Sequence, residues 1–164
     1  MLKNRNIVFI CTGNSCRSPI AEGLARKIFA HYKLMCTVSS YGTLDLGGTI
    51  PAKKAIAVCA ENEIDITTHR SRQFCLKAAE EADIILTMEY SHIHWIYEHF
   101  GESVANKAYL LSEYGAPDSC VKEIPDPIGC SQEFYREVFS MLRNEIERIA
   151  AFESAKARNK ANDL

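Results

Sequence analysis

The sequence predicts an α/β fold, a three-layer sandwich in which a parallel sheet is covered by helices on both faces. Three observations lead there. Short β-branched apolar runs alternate with stretches whose apolar residues keep helical spacing. The first run ends in a loop of small polar residues. A helix start follows that loop at once.

Taken in order, Asn6 to Ile10 is an apolar run that reads as a buried strand, and Thr12-Gly13-Asn14-Ser15 after it suits tight turns and positive φ. Ser18-Pro19 then marks a helix start, with Ile20, Leu24, Ile28 and Phe29 at helical spacing. Met35 to Ser39 predicts a second strand, Pro51 to Asn62 a helix, Ala82 to Met88 a buried strand and Glu89 to Phe100 a helix. Lys107 to Leu111 predicts a short strand. Ser131 to Phe152 predicts a long helix with Phe134, Val138, Phe139, Leu142, Ile146 and Ile149 on one face. The stretches 42–50 and 112–130 read as surface loops, and 154–164 as a polar tail expected to fray.

At 164 residues, 47% hydrophobic and 24% charged, the chain suffices for one domain with its own core, and residues 1–164 are read as that domain. A formal net charge of -2 supplies no global basic field, which argues against nucleic acid or an anionic membrane as the main partner. Met1 to Asn6 is polar and leads into an apolar run too short to span a bilayer, so a cytoplasmic location is expected. The seven cysteines, at 11, 16, 36, 59, 75, 120 and 130, are odd in number and irregular in spacing, unlike a disulfide framework. Cys11 and Cys16 are five apart and lack a downstream partner pair at zinc-ligand spacing, so no metal is expected.

The chemistry is concentrated in Cys11-Thr12-Gly13-Asn14-Ser15-Cys16-Arg17-Ser18, which sets a cysteine and an arginine around five residues, between strand and helix. A loop of this length can curl so that successive backbone N–H groups from Thr12 to Cys16 form an anion cradle, to which the helix N-terminus adds partial positive charge. Arg17 would grip a phosphate with a planar fork. The same field favours a thiolate at Cys11, and the Ser18 hydroxyl can donate to its sulfur. Breaking a bond to phosphorus also needs a proton for the leaving group. Asp126, in Ile124-Pro125-Asp126-Pro127-Ile128-Gly129, is the candidate acid, in a loop stiffened by prolines before the last helix.

The Cys11 to Ser18 loop, Ser40-Tyr41-Gly42-Thr43, His69-Arg70-Ser71-Arg72 and the late Asp126-Pro127 together resemble the low-molecular-weight protein tyrosine phosphatase family, over nearly the whole chain. The resemblance implies a four-stranded parallel sheet flanked by helices, and a cytoplasmic protein phosphatase that needs no cofactor and takes a phosphorylated protein as substrate. It implies that Cys11 becomes a phosphocysteine that water hydrolyses, with Asp126 first acid and then base. It further implies that Asn14 shapes the loop, that Ser40 and His69 support it, and that Cys16 can trap an oxidised Cys11 as a reversible disulfide.

Ser15 and Ile128-Gly129 depart from the tyrosine-selective pattern, which has a bulky aliphatic residue and aromatic residues there. A small hydroxyl residue at Ser15 is closer to the protein arginine phosphatase branch, but that branch has an aromatic residue after its Asp-Pro, so Ile128 fits neither branch, and phosphoarginine is the alternative substrate to phosphotyrosine. Tyr90 and His92 are candidate walls of the pocket, and Trp95 a packing residue. The loop also resembles arsenate reductases, but the two relay cysteines expected after the strand ending at Met88 are lacking there. A catalytically dead phosphate-binding domain is disfavoured because nucleophile, clamp and acid are all present.

Overall fold

The computed structural model describes residues 4–116 and 122–162, with side chains to residue 159; Cys120 lies outside this range. Strand β1 (Arg5–Cys11) forms from the first apolar run, and α1 (Arg17–His31) follows after five residues. Pro19 falls in the first turn of α1, where its missing N–H costs no helical hydrogen bond. Next come β2 (Cys36–Gly42), α2 (Lys53–Ala60), α3 (Leu76–Glu81), β3 (Ile84–Thr87), α4 (Tyr90–Phe100), α5 (Glu102–Ala105), β4 (Ala108–Leu110) and α6 (Gln132–Asn162).

The four strands are parallel, in the order β2-β1-β3-β4. The central pair is buried on both faces, and its side chains alternate between two cores. Ile7, Phe9 and Cys11 face one core with Ile84, Leu86 and Met88, covered by α1, α2 and α6. Val8, Ile10 and Ile85 face the other, covered by α3, α4 and α5 through Ala78, Ala79, Ile96 and Val104. Full burial of Phe9, Leu86 and Leu142 makes each worth about 2–5 kcal/mol against alanine.

From β1 the chain steps to β2 on one side, then crosses back to β3 on the other, so the order reverses between β1 and β3. At such a reversal the connections leave in opposite directions and open a crevice beyond the carboxyl ends of the strands. The loops that follow β1 and β3 meet there.

Helix α6 extends to Asn162, beyond the Phe152 at which the apolar stripe predicted its end. Polar anchoring continues it: Glu153 is buried and accepts from Tyr114 Oη at 2.7 Å and Arg5 Nη1 at 2.6 Å, which ties the last helix to the first strand. Helices α3 and α5 fall in stretches too short to show a helical period. No helix among the described residues is long and apolar enough to cross a membrane.

Candidate active site

The loop after β1 is held by its carbonyls. Those of Cys11 and Thr12 accept from the amides of Thr43 and Leu44 at 3.0 Å, that of Ser15 from Ala52 at 2.9 Å, and that of Cys16 from Ile20 at 3.2 Å. Asn14 O receives His69 Nε2 at 3.2 Å. Among the described residues, the amides of Thr12 to Cys16 donate to no protein group. A run of amides without protein acceptors, around a thiol and beside a helix N-terminus, is an anion cradle.

Asn14 is the keystone of this curl. It adopts a left-handed φ of 51°, which asparagine tolerates better than most residues, and it is fully buried. Its Nδ2 donates to Ser18 Oγ at 2.8 Å and Ser40 Oγ at 3.0 Å, while its Oδ1 accepts the Arg72 amide at 3.0 Å and His69 Nε2 at 3.1 Å. Both acceptors on Asn14 face His69 Nε2, so that nitrogen carries the proton. Ser40 donates onward to Glu22 at 2.6 Å. Ser18 Oγ lies 3.0 Å from Cys11 Sγ, in reach to donate to a thiolate.

Gly42, at the end of β2, lies against this loop so closely that a Cβ there would meet Thr12 O at 2.6 Å and Asn14 N at 3.1 Å. Only glycine lets the two backbones approach so closely. Gly13 is packed under Leu46, and Ser15 is half-buried beside it.

Arg17 is 1% exposed, and three of its five N–H groups are partnered. Nη1 donates to Glu89 and to Ile124 O at 2.9 Å; Nη2 donates to Asp126 Oδ2 at 3.0 Å. Among the described residues this leaves Nε–H and one Nη2–H, the side-on fork, free for an anion. Asp126 is exposed at the edge of the crevice, its Oδ1 accepting from the Ile128 amide at 3.2 Å. Burial alone would raise the Glu89 carboxyl, but Arg17 outweighs it and holds it below the usual carboxylate range. Cys16 Sγ is buried 3.3 Å from Tyr135 Oη, and burial pushes its thiol up.

The structure thus gathers Cys11, Thr12, Gly13, Asn14, Ser15, Cys16, Arg17, Ser18, Ser40, His69 and Asp126 around the loop after β1, with Asn14, Ser18 and Ser40 fully buried. One expectation is corrected. His92 is not a wall of the pocket: it is 3% exposed, inside the first turn of α4, where its ring takes part in capping. Tyr90 is exposed, but its hydroxyl is engaged by Glu113, and Trp95 stacks on His99. Sequence reasoning missed Glu89, Ile124 O and Tyr135. An acidic residue directly after a buried strand, at the carboxyl edge of a parallel sheet, was the available signal for Glu89.

A profile of the family described as low molecular weight phosphotyrosine protein phosphatase matches residues 6–161. The chain belongs to that family. Its members are phosphoric monoester hydrolases, and this chain is an enzyme of that class. It is 35% identical to the low molecular weight protein-tyrosine-phosphatase PtpB of Staphylococcus haemolyticus over 83% of this chain and 91% of that one. It is 34% identical to Wzb of Escherichia coli over 88% and 92%. Among solved structures, the YwlE arginine phosphatase of Geobacillus stearothermophilus superposes with a TM-score of 0.85 at 29% identity, covering 94% of this chain and 96% of that one.

Proposed function

We propose that this family member is a cytoplasmic, single-domain protein phosphatase that works through a phosphocysteine at Cys11, with phosphotyrosine as substrate. The observation that carries the reading is the cradle of amides around Cys11 that have no acceptor among the described residues, closed by the fork of Arg17. A phosphate dianion seated there places its phosphorus above Cys11 Sγ, and its equatorial oxygens accept from the amides of Thr12 to Cys16 and from Arg17.

Cys11 Sγ, as a thiolate aided by Ser18, forms the S–P bond while the bond from phosphorus to the substrate oxygen breaks. Asp126 gives its proton to that oxygen. In the second step it takes a proton from water, which attacks phosphorus; phosphate leaves and the thiolate is restored. No reductant, metal or cofactor enters the balance. A reducing compartment suits an enzyme that runs on a free thiolate.

Phosphoarginine is the second reading. Ser15, small and half-buried in the loop, is what favours it; Ile128, exposed after Asp126-Pro127, matches neither branch. The test is phosphate release from matched phosphotyrosine and phosphoarginine peptides, by the protein and its Cys11→Ser variant, without added reductant. Release that depends on Cys11 is expected. Release by the variant at the same rate would overturn the mechanism, and the preferred peptide decides the substrate. Turnover of arsenate with thiol consumption, in place of phosphate release, would instead make the chain a reductase.

A further inference from the structure

We infer that His92 is a positioning residue that joins the two ends of the phosphate loop. The inference rests on the phosphatase reading and adds to it a residue outside the loop. His92 is the third residue of α4, and Glu89 is that helix's N-cap; the two cap each other reciprocally. His92 Nδ1 accepts the Glu89 amide at 3.2 Å. An acceptor at Nδ1 leaves the proton of a neutral ring on Nε2, and Nε2 lies 3.0 Å from Thr12 Oγ1.

The direction of each bond follows. Nε2–H donates to Thr12, the residue after the nucleophile, while the capping box fixes Glu89, whose carboxylate holds Arg17. Thr12 is therefore gripped from two sides, by the Leu44 amide on its carbonyl and by the imidazole on its side chain. One ring thus sets both where the strand hands over to the loop and where the guanidinium stands. The charged groups facing it are Arg17 from α1, Glu89 from its own helix, and Glu123 and Asp126 from the segment before α6. Burial and Arg17 push its pKa down to about 4, which keeps it neutral and able to accept.

The experiment compares kcat and KM for p-nitrophenyl phosphate in the protein and in His92→Leu, His92→Gln, Thr12→Val and His92→Leu/Thr12→Val. Glutamine can accept the Glu89 amide and donate to Thr12 at once, so His92→Gln should stay within about threefold of the parent. Thr12→Val and His92→Leu should each lower kcat by about threefold to thirtyfold, and the double variant should be no slower than His92→Leu. A long-range 1H–15N spectrum at neutral pH should show His92 protonated on Nε2 alone.

Full activity of Thr12→Val, losses that multiply in the double variant, failure of glutamine to rescue, or a proton on Nδ1 would each overturn the inference. If His92→Leu fails to fold, Thr12→Val, His92→Gln and the spectrum still decide it. A parent protein that releases no phosphate would remove the phosphatase reading and this one together; an active parent that loses activity in Cys11→Ser, with Thr12→Val unaffected, would remove only this one.

Discussion

Arg17 Nη2 donates to Asp126 Oδ2 across 3.0 Å, which joins the proposed clamp directly to the proposed acid. On the proposed mechanism, this carboxylate would face an incoming anion as well as the leaving group. Asp126→Ala should bind inorganic phosphate several-fold more tightly, because a negative charge beside the cradle is gone. It should also slow substrates with poor leaving groups by about 100-fold or more, and those with good ones far less. Product inhibition and a series of aryl phosphates read both; equal slowing across the series would remove Asp126 from the acid role.

Cys11→Ser should abolish turnover while phosphate analogues still bind, since the amides and Arg17 are untouched. Titration of the variant with orthovanadate or sulfate, followed by calorimetry, checks this. Loss of anion binding along with activity would mean that the sulfur holds the loop together.

Glu89→Gln keeps the size of the side chain but removes the charge against Arg17. It should lower kcat/KM by about tenfold to 100-fold, the worth of one charge-assisted hydrogen bond to a buried guanidinium. An unchanged kcat/KM would mean that Ile124 O and Asp126 suffice to aim Arg17.

Asn14→Ala should cost about 2–4 kcal/mol, because it strips the Arg72 amide of its acceptor, takes one partner each from Ser18, Ser40 and His69, and leaves an alanine at positive φ. Urea unfolding gives the loss of stability. A loss under 0.5 kcal/mol, on the order of an ordinary surface change, would contradict the keystone role.

The pH dependence of stability should report His92. Its ring is ordinarily protonated near 6.5 but only near about 4 in the fold, so the unfolded chain binds more protons between those values. The contribution is fully present above 6.5 and is lost as pH falls toward 4, at about 1.4 kcal/mol per pH unit. His92→Gln should flatten that part of the profile. An unchanged slope would assign the acid sensitivity to carboxylates such as Glu89.

What the sequence disclosed, and what it hid, follows from how far apart the partners lie along the chain. Cys11, Arg17 and Ser18 are legible because their geometry is local: a buried run, a turn and a helix start fix their spacing. The strands read correctly for the same reason, since Val8 and Ile10 differ from Phe9 only in which core they enter. Glu89 and His92 are 72 and 80 residues from Arg17 and Thr12, and only the placing of β3 beside β1 brings them together. Helical spacing on α4 shows a face, but not that the face meets a loop made much earlier. Tyr135 hides similarly, as one apolar-stripe residue of α6 whose hydroxyl reaches Cys16.

That separation has a meaning for biosynthesis. Cys11 and its loop leave the ribosome early, yet Arg17 waits for Glu89, Ile124 and Asp126 before its guanidinium has a place. At about 5–20 residues per second the interval is on the order of ten seconds. For that time the nascent chain carries the Cys11 thiol without the folded loop and Arg17 network that surround it in the finished structure.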